Sequence, residues 1–275
     1  MEYFKLHDNT TIPALGLGTN TFGRKKNESE NSNDHDFKEV KYALENGYRL
    51  FDCSICCNNE EGIGRALIES KVDRKDLYII SKISTLKIDR ISPERVEAYV
   101  DSSIEKLQSK YIDMFFLNYF IDDLASMKVA YQTLIDCKNK GKIKSIGVSN
   151  FNEVQLFWLM NEFDEKPVSN QIKINPSLDS VNLIRFCKEH NVLPMAHSPL
   201  KNCNDKNRLL LNVIGEKYNK TWSQVLLRFN FQQGICSIPK SHDKKHQFDN
   251  INIFDFVINE EDMSIIRKFI YGTKR

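Results

Sequence analysis

The sequence predicts an α/β protein, a (β/α)8 TIM barrel, on three observations. Strand-like apolar runs alternate with helix-period segments along almost the whole chain, the pattern of repeated βα units around a parallel sheet. Eight such runs can be counted, as the barrel requires. A length of 275 residues, with no long linker or composition break, suits one domain over 1–275 better than two.

The elements follow in order. Tyr3 to Leu6 and Thr11 to Pro13, turning at Asp8-Asn9, predict a hairpin that plugs the bottom of the barrel. The barrel strands are expected near Ala14 to Gly18, Tyr48 to Asp52, Tyr78 to Lys82, Ile112 to Leu117, Ile143 to Val148, Val168 to Ile172, Val192 to Ala196 and Cys236 to Pro239. Between them, Ser92-Pro93 reads as a helix start with Val96, Val100, Ile104 and Leu107 on the core face. Leu124, Met127, Tyr131 and Leu134 share one face of a helix stopped by Gly141, and Thr221-x-x-Gln224 has the form of a capping box. Polar stretches at Arg24 to Asp36, Lys201 to Arg208 and His242 to Asp249 follow strands one, seven and eight, which places them on the functional rim.

Composition excludes several partner classes. Hydrophobic residues make up 41% and charged residues 28%, enough for a large core. The net charge is +2, from 39 basic and 37 acidic residues, and the lysines are interleaved with acids, which argues against nucleic acid and for a small-molecule partner. The N-terminus lacks the apolar run of a signal peptide and no run approaches a membrane span, so the expectation is a cytoplasmic, membrane-free protein. Seven cysteines, an odd number, read as reduced thiols. Gly16-Leu-Gly18 fails as a Rossmann fingerprint, because the third glycine is Thr21 and no helix pattern follows.

Five motifs stand at strand C-terminal ends, where barrel active sites form. They are Gly47-Tyr-Arg-Leu-Phe-Asp52 with Asn59-Glu-Glu-Gly-Ile-Gly-Arg-Ala, then Gly141-Lys-Ile-Lys-Ser-Ile-Gly-Val-Ser-Asn-Phe151, Ser169-Asn-Gln171 before Pro176, His197-Ser-Pro-Leu200, and Ile238-Pro-Lys-Ser241 leading to Asp249-Asn250. In this order they resemble the aldo-keto reductase family. The resemblance implies NADP(H) as cofactor. Lys240, Ser241 and the free N–H groups of a following helix suit the adenosine 2′-phosphate, and His246 stands where the family has an arginine. Ser149, Asn150 and Gln171 match the residues that hold the nicotinamide amide, which needs donors and acceptors. Thr19 and Asn20 match positions beside the nicotinamide ribose, and His197 replaces the tyrosine that stacks on the ring. Ser198, Leu200, Asp249 and Asn250 complete the implied cofactor set, with Asp52 at its inner end.

The implied chemistry is incomplete. The family reduces a carbonyl with hydride from the nicotinamide while a tyrosine donates a proton, tuned by a lysine that an aspartate orients, and a histidine binds the carbonyl. Asp52 and Lys82 match, but the tyrosine position is Cys57 and the histidine position is Asn118. A thiol is a weak donor on a short side chain, so Cys57 does not take over the role directly, whereas a water held by Lys82 and Asn118 recovers part of it. Tyr119 is a stand-in acid only if it reaches the site, and alternation along strand four turns it away when Asn118 points in. Lys82 and Asp52 serve either residual catalysis or a buried ion pair.

Cys53-x-x-Cys56-Cys57 near a lysine also allows a redox-active thiolate; no metal site is expected, since a zinc would need further ligands. The chain ends at Arg275 soon after a helix from Glu260 to Ile270, and the link from Asn118 to Leu124 is short, which predicts a shallow, open pocket. The expected function is an NADP(H)-binding oxidoreductase of aldehydes or ketones with weakened or altered activity, a monomer by fold analogy. The alternative is a pseudoenzyme, a catalytically inert NADP(H)-dependent binding or redox-sensor protein.

Overall fold

Eight parallel strands form the barrel in the computed structural model, which describes residues 1–23, 37–85, 90–176 and 180–270. The stretch Arg24 to Asp36 lies outside the described residues. Ahead of the barrel, β1 (Tyr3–Lys5) and β2 (Thr11–Pro13) pair antiparallel with Phe4 opposite Ile12. The barrel strands are β3 (Leu17–Gly18), β4 (Leu50–Asp52), β5 (Tyr78–Ser84), β6 (Ile112–Asn118), β7 (Ile143–Ser149), β8 (Ser169–Lys173), β9 (Leu193–His197) and β10 (Cys236–Ile238). Each pairs with the next in the chain, and Gly16, Gly18 and Ser237 exchange backbone hydrogen bonds with Ser237, Pro239 and Ala14, which joins β10 to the β3 segment.

All eight expected runs are therefore strands, with shifted ends. Of Ala14 to Gly18, Leu17 and Gly18 form the ladder and Leu15 makes a single bridge to Ser237. The ring's interior is filled by Leu50, Tyr78, Ile80, Met114, Phe116, Val168, Met195, Cys236 and Ile238, and Leu6 and Ile12 of the hairpin pack onto the same cluster. The hairpin thus covers the bottom of the barrel, opposite the strand C-termini.

The helices are α1 (Lys38–Glu45), α2 (Glu60–Glu69), α3 (Pro93–Lys106), α4 (Leu124–Asn139), α5 (Glu153–Glu162), α6 (Val181–Glu189), α7 (Asp205–Glu216), α8 (Trp222–Gln232), α9 (Lys244–Ile251) and α10 (Glu260–Ile270). The apolar faces of α1 to α6 meet the outer faces of the strands in the largest core cluster, including Val96, Val100, Met127, Tyr131 and Leu134, while α7 and α10 pack with α8 in a separate cluster around Leu211, Val225 and Met263. Ser92 caps α3 ahead of Pro93, and Thr221 and Gln224 form the reciprocal box at the start of α8. Leu124 is a correction: it is the first residue of α4 and is exposed, because the buried face begins one turn later at Met127. Among the described residues no helix is long and apolar enough to cross a membrane.

Candidate active site

Parallel register gathers the functional side chains at the strand ends. Asp52 ends β4, Lys82 lies in β5, Asn118 ends β6, Ser149 ends β7, Gln171 lies in β8 and His197 ends β9. Asn118 is in register with Ser149, and Ser149 with Gln171. All six line one cleft of about 660 Å³, within the range of ligand sites. Asn20, Cys57, Asn150, Ser198, Leu200 and Lys240 line it too. Ser54, Thr21, Cys56, Pro199 and Lys201 also border the cleft; Cys56 belongs to the Cys53-x-x-Cys56-Cys57 run and Lys201 opens the polar stretch after strand seven, whereas Ser54 carried no signal of its own in the sequence.

The polar centre is a buried ion pair. Lys82 Nζ donates to Asp52 Oδ1 at 2.6 Å and to the Cys53 carbonyl at 2.9 Å, and both side chains are about nine-tenths buried. Asp52 Oδ1 also accepts from Gln171 Nε2 at 2.9 Å. A pair this deep depends on such extra hydrogen bonds to offset desolvation. Beside it, Asn150 Nδ2 donates to Asn118 Oδ1 at 2.8 Å and to Ser149 Oγ at 3.1 Å, while Ser149 Oγ donates to the Gln171 carbonyl at 2.9 Å. This chain of bonds leaves the Asn118 amide nitrogen as a donor toward the cleft, and the Asn150 and Gln171 side-chain oxygens as acceptors.

Two amide oxygens and an imidazole on one cleft suit a carboxamide NH₂ and a flat ring, so the side chains present fit the nicotinamide end of the implied cofactor. His197 supplies the ring, and burial lowers its pKa below the ordinary 6.5, with Asp52 opposing and Lys82 and Lys173 assisting, so the imidazole is neutral at neutral pH. Thr19 stands behind the cleft instead of in it: it is fully buried and its hydroxyl donates to the Asp52 carbonyl at 2.9 Å, which fixes the backbone of the ion pair.

At the far end, Lys240 lines the cleft, while outside it Ser241 precedes α9, His246 lies in its first turn, and Asp249 and Asn250 lie in its last. Ser241 is buried and its hydroxyl bonds the Asp243 backbone, accepting from N at 3.1 Å and donating to O at 3.3 Å. His246 is exposed, Asp249 half-buried and Asn250 buried. Gln247 Nε2 donates to the carbonyls of Glu39 and Ser241, which straps this loop to α1.

Cys57 closes a single 3-10 turn, Ile55–Cys57. Lys82 does not make it a thiolate. Burial pushes the Cys57 thiol above its ordinary 9.0, Lys82 pulls it back, and the negative charges of Asp52 and Glu60 and the neighbouring Cys56 push it up again. None of the seven cysteines, all within the described residues, is in a disulfide.

Tyr119 is the second correction. Strand alternation predicted that it turns away, but β6 ends at Asn118 and Tyr119 has φ of 79°, so the pleat is broken and the residue borders the cleft.

Comparisons with known proteins bear on the family and the fold. The model of the Aldo/keto reductase family matches residues 14–270. The chain is 35% identical to glyoxal reductase of Bacillus subtilis, covering 95% of this chain and 90% of that one, and 32% identical to mouse aldo-keto reductase family 1 member D1, over 95% and 88%. Among solved structures, a Bombyx mori aldo-keto reductase in complex with NADP superposes with a TM-score of 0.86 at 28% identity, covering 99% of this chain and 94% of that one. An aldo/keto reductase from Brucella melitensis gives 0.87 at 31%, over 97% and 98%.

Proposed function

The chain belongs to the aldo/keto reductase family of oxidoreductases, which uses NADP(H), and we propose that it reduces small aldehydes or ketones with NADPH at a rate held down by the replacements at Cys57 and Asn118. The observation that carries the reading is the Lys82–Asp52 pair, 2.6 Å apart, standing in a cleft beside a thiol where the family's proton donor would be.

When bound, the cofactor supplies the hydride. The protein's own residues supply the rest. Asn150, Gln171 and Ser149 hold the amide end of the ring, and His197 offers a neutral imidazole to its face. Lys82 contributes a fixed positive charge, and the free Asn118 N–H group a directed donor, to a carbonyl oxygen placed between them. Lys240 and the Ser241 loop meet the phosphate end. The catalytic set is thus Asp52 and Lys82 as polar centre, Asn118 as carbonyl binder and Cys57 as the vacated acid position. A cytoplasmic setting fits seven cysteines without a disulfide.

NADPH oxidation with a panel of reactive aldehydes and quinones tests this, comparing the natural protein with Cys57→Tyr/Asn118→His. Returning a phenol to position 57 and an imidazole to position 118 is expected to raise kcat/KM. The Cys56–Cys57 wall favours one other reading, an NADP(H)-dependent binding or redox-sensor protein: natural protein that binds NADPH and never consumes it, beside an active variant, selects that reading. Failure of both proteins to bind NADPH at tens of micromolar, measured by fluorescence titration, ends both.

A further inference from the structure

The hydroxyl missing at position 57 has a counterpart in the same cleft. Tyr119 borders it together with Lys82, Asn118 and Cys57, and is 40% exposed. It reaches that place by leaving the strand. A φ of 79° is left-handed backbone that an aromatic residue adopts only under constraint.

The constraint comes from a backbone hydrogen bond and from one hydroxyl proton shared between two carbonyls. The Tyr119 N–H donates to the Ser149 carbonyl at 2.9 Å. Thr85 Oγ1 lies 2.8 Å from the Asn118 carbonyl and 2.9 Å from the Tyr119 carbonyl, so its one proton is shared between them. Thr85 directly follows β5, the strand that carries Lys82, so the element that places the ammonium also holds the turn at Tyr119. A strained aromatic left 40% exposed is poorly explained by burial, and strain of this kind collects at functional sites.

Resting on the carbonyl-reductase reading above, we infer that Tyr119 is the catalytic acid of this cleft. Its phenol O–H donates to the substrate's carbonyl oxygen while the carbonyl carbon takes hydride from the reduced nicotinamide. The C=O π bond breaks, a C–H and an O–H bond form, the dinucleotide leaves oxidised, and the phenolate regains its proton from solvent at the open rim. Asn118 donates a second hydrogen bond to the same oxygen. Cys57 is excluded from the role, because a half-buried thiol on a short side chain is a weak donor.

The test is Tyr119→Phe, which removes one oxygen atom. Two readouts are taken: NADPH oxidation with 4-nitrobenzaldehyde, and the infrared carbonyl stretch of that aldehyde bound beside NADP⁺, where no turnover occurs. The expected result is a kcat lower by ~10²- to 10⁴-fold, with KM changed much less, and a stretch shifted to higher wavenumber as the hydrogen bond is lost. Cys57→Tyr added to Tyr119→Phe restores turnover, which shows the barrel and cofactor site intact. Natural protein that reduces the aldehyde at a rate and with a stretch that Tyr119→Phe leaves unchanged overturns the assignment alone. So does natural protein that binds NADPH without turnover while Cys57→Tyr is active. Absence of NADPH binding removes the carbonyl-reductase reading and this assignment together.

Discussion

One wall of the cleft is carried by strand ends and the other by loops, and they obey different constraints. Asp52, Lys82, Ser149 and Gln171 are each less than a tenth exposed, fixed by parallel register and joined by hydrogen bonds of 2.6–2.9 Å. Cys56, Tyr119, Lys201 and Lys240 are exposed on the loops between strand and helix. A change on the strand wall leaves a buried polar group without its partner. A change on the loop wall alters chemistry at little cost to folding, so the phenol at position 57 can be absent from a barrel whose ion pair is intact.

The sharpest way to break this comparison is to measure stability on both walls. Lys82→Met leaves Asp52 buried with its charge uncompensated and is expected to cost about 3–5 kcal/mol in urea unfolding, most of it recovered in Lys82→Met/Asp52→Leu. Cys56→Ser, on the exposed wall, is expected within about 0.5 kcal/mol of the natural protein. Equal costs for the two single variants would remove the distinction.

A smaller effect lies behind the strand wall. Glu60, at the start of α2, accepts from Ser81 Oγ at 2.6 Å and Ser103 Oγ at 3.0 Å through Oε1, while its buried Oε2 has no hydrogen-bond partner. Burial raises its pKa above the ordinary 4.5, with the two serines opposing. The folded state therefore holds this proton more tightly than the unfolded one. The stability it contributes is complete below pH 4.5 and is lost as pH rises through the folded-state value. Glu60→Gln is expected to flatten this segment of the urea-midpoint profile; a profile that keeps its slope would place the titration elsewhere.

Much of the strand wall was legible in the sequence, since buried parallel strands read as continuous apolar runs and their polar ends mark the rim. Asp52, Lys82, Asn118, Ser149, Gln171 and His197 all arrive in one cleft as their motifs implied. The loop wall was not legible in the same way. Alternation misplaced Tyr119 because the turn that redirects it is held by Thr85, 34 residues earlier, a long-range constraint invisible to local pattern. Proximity to Lys82 misjudged Cys57 because the sequence carries charge but not desolvation, and desolvation dominates there. Thr19 matched a motif position but turned inward, its hydroxyl taken by the Asp52 backbone.

The smallest expected effect sits at the phosphate end, where the loop wall meets a helix N-terminus. Asp243 caps α9, its carboxylate accepting from the His246 N–H at 2.8 Å, and that bond, helped by the charges of His246 and Lys245, holds the carboxyl below its ordinary range. Lys244 is tied to Glu45 at 2.6 Å. The helix end that would receive a 2′-phosphate therefore already carries a negative group of its own, which opposes a second anion. Asp243→Ser keeps a capping oxygen and removes the charge. Fluorescence titration is expected to show NADPH bound about 5-fold more tightly, with NADH unchanged. Equal tightening of both dinucleotides would mean that the substitution acts through the loop's shape, and the exposed wall would then be coupled to the buried one more closely than its hydrogen bonds imply.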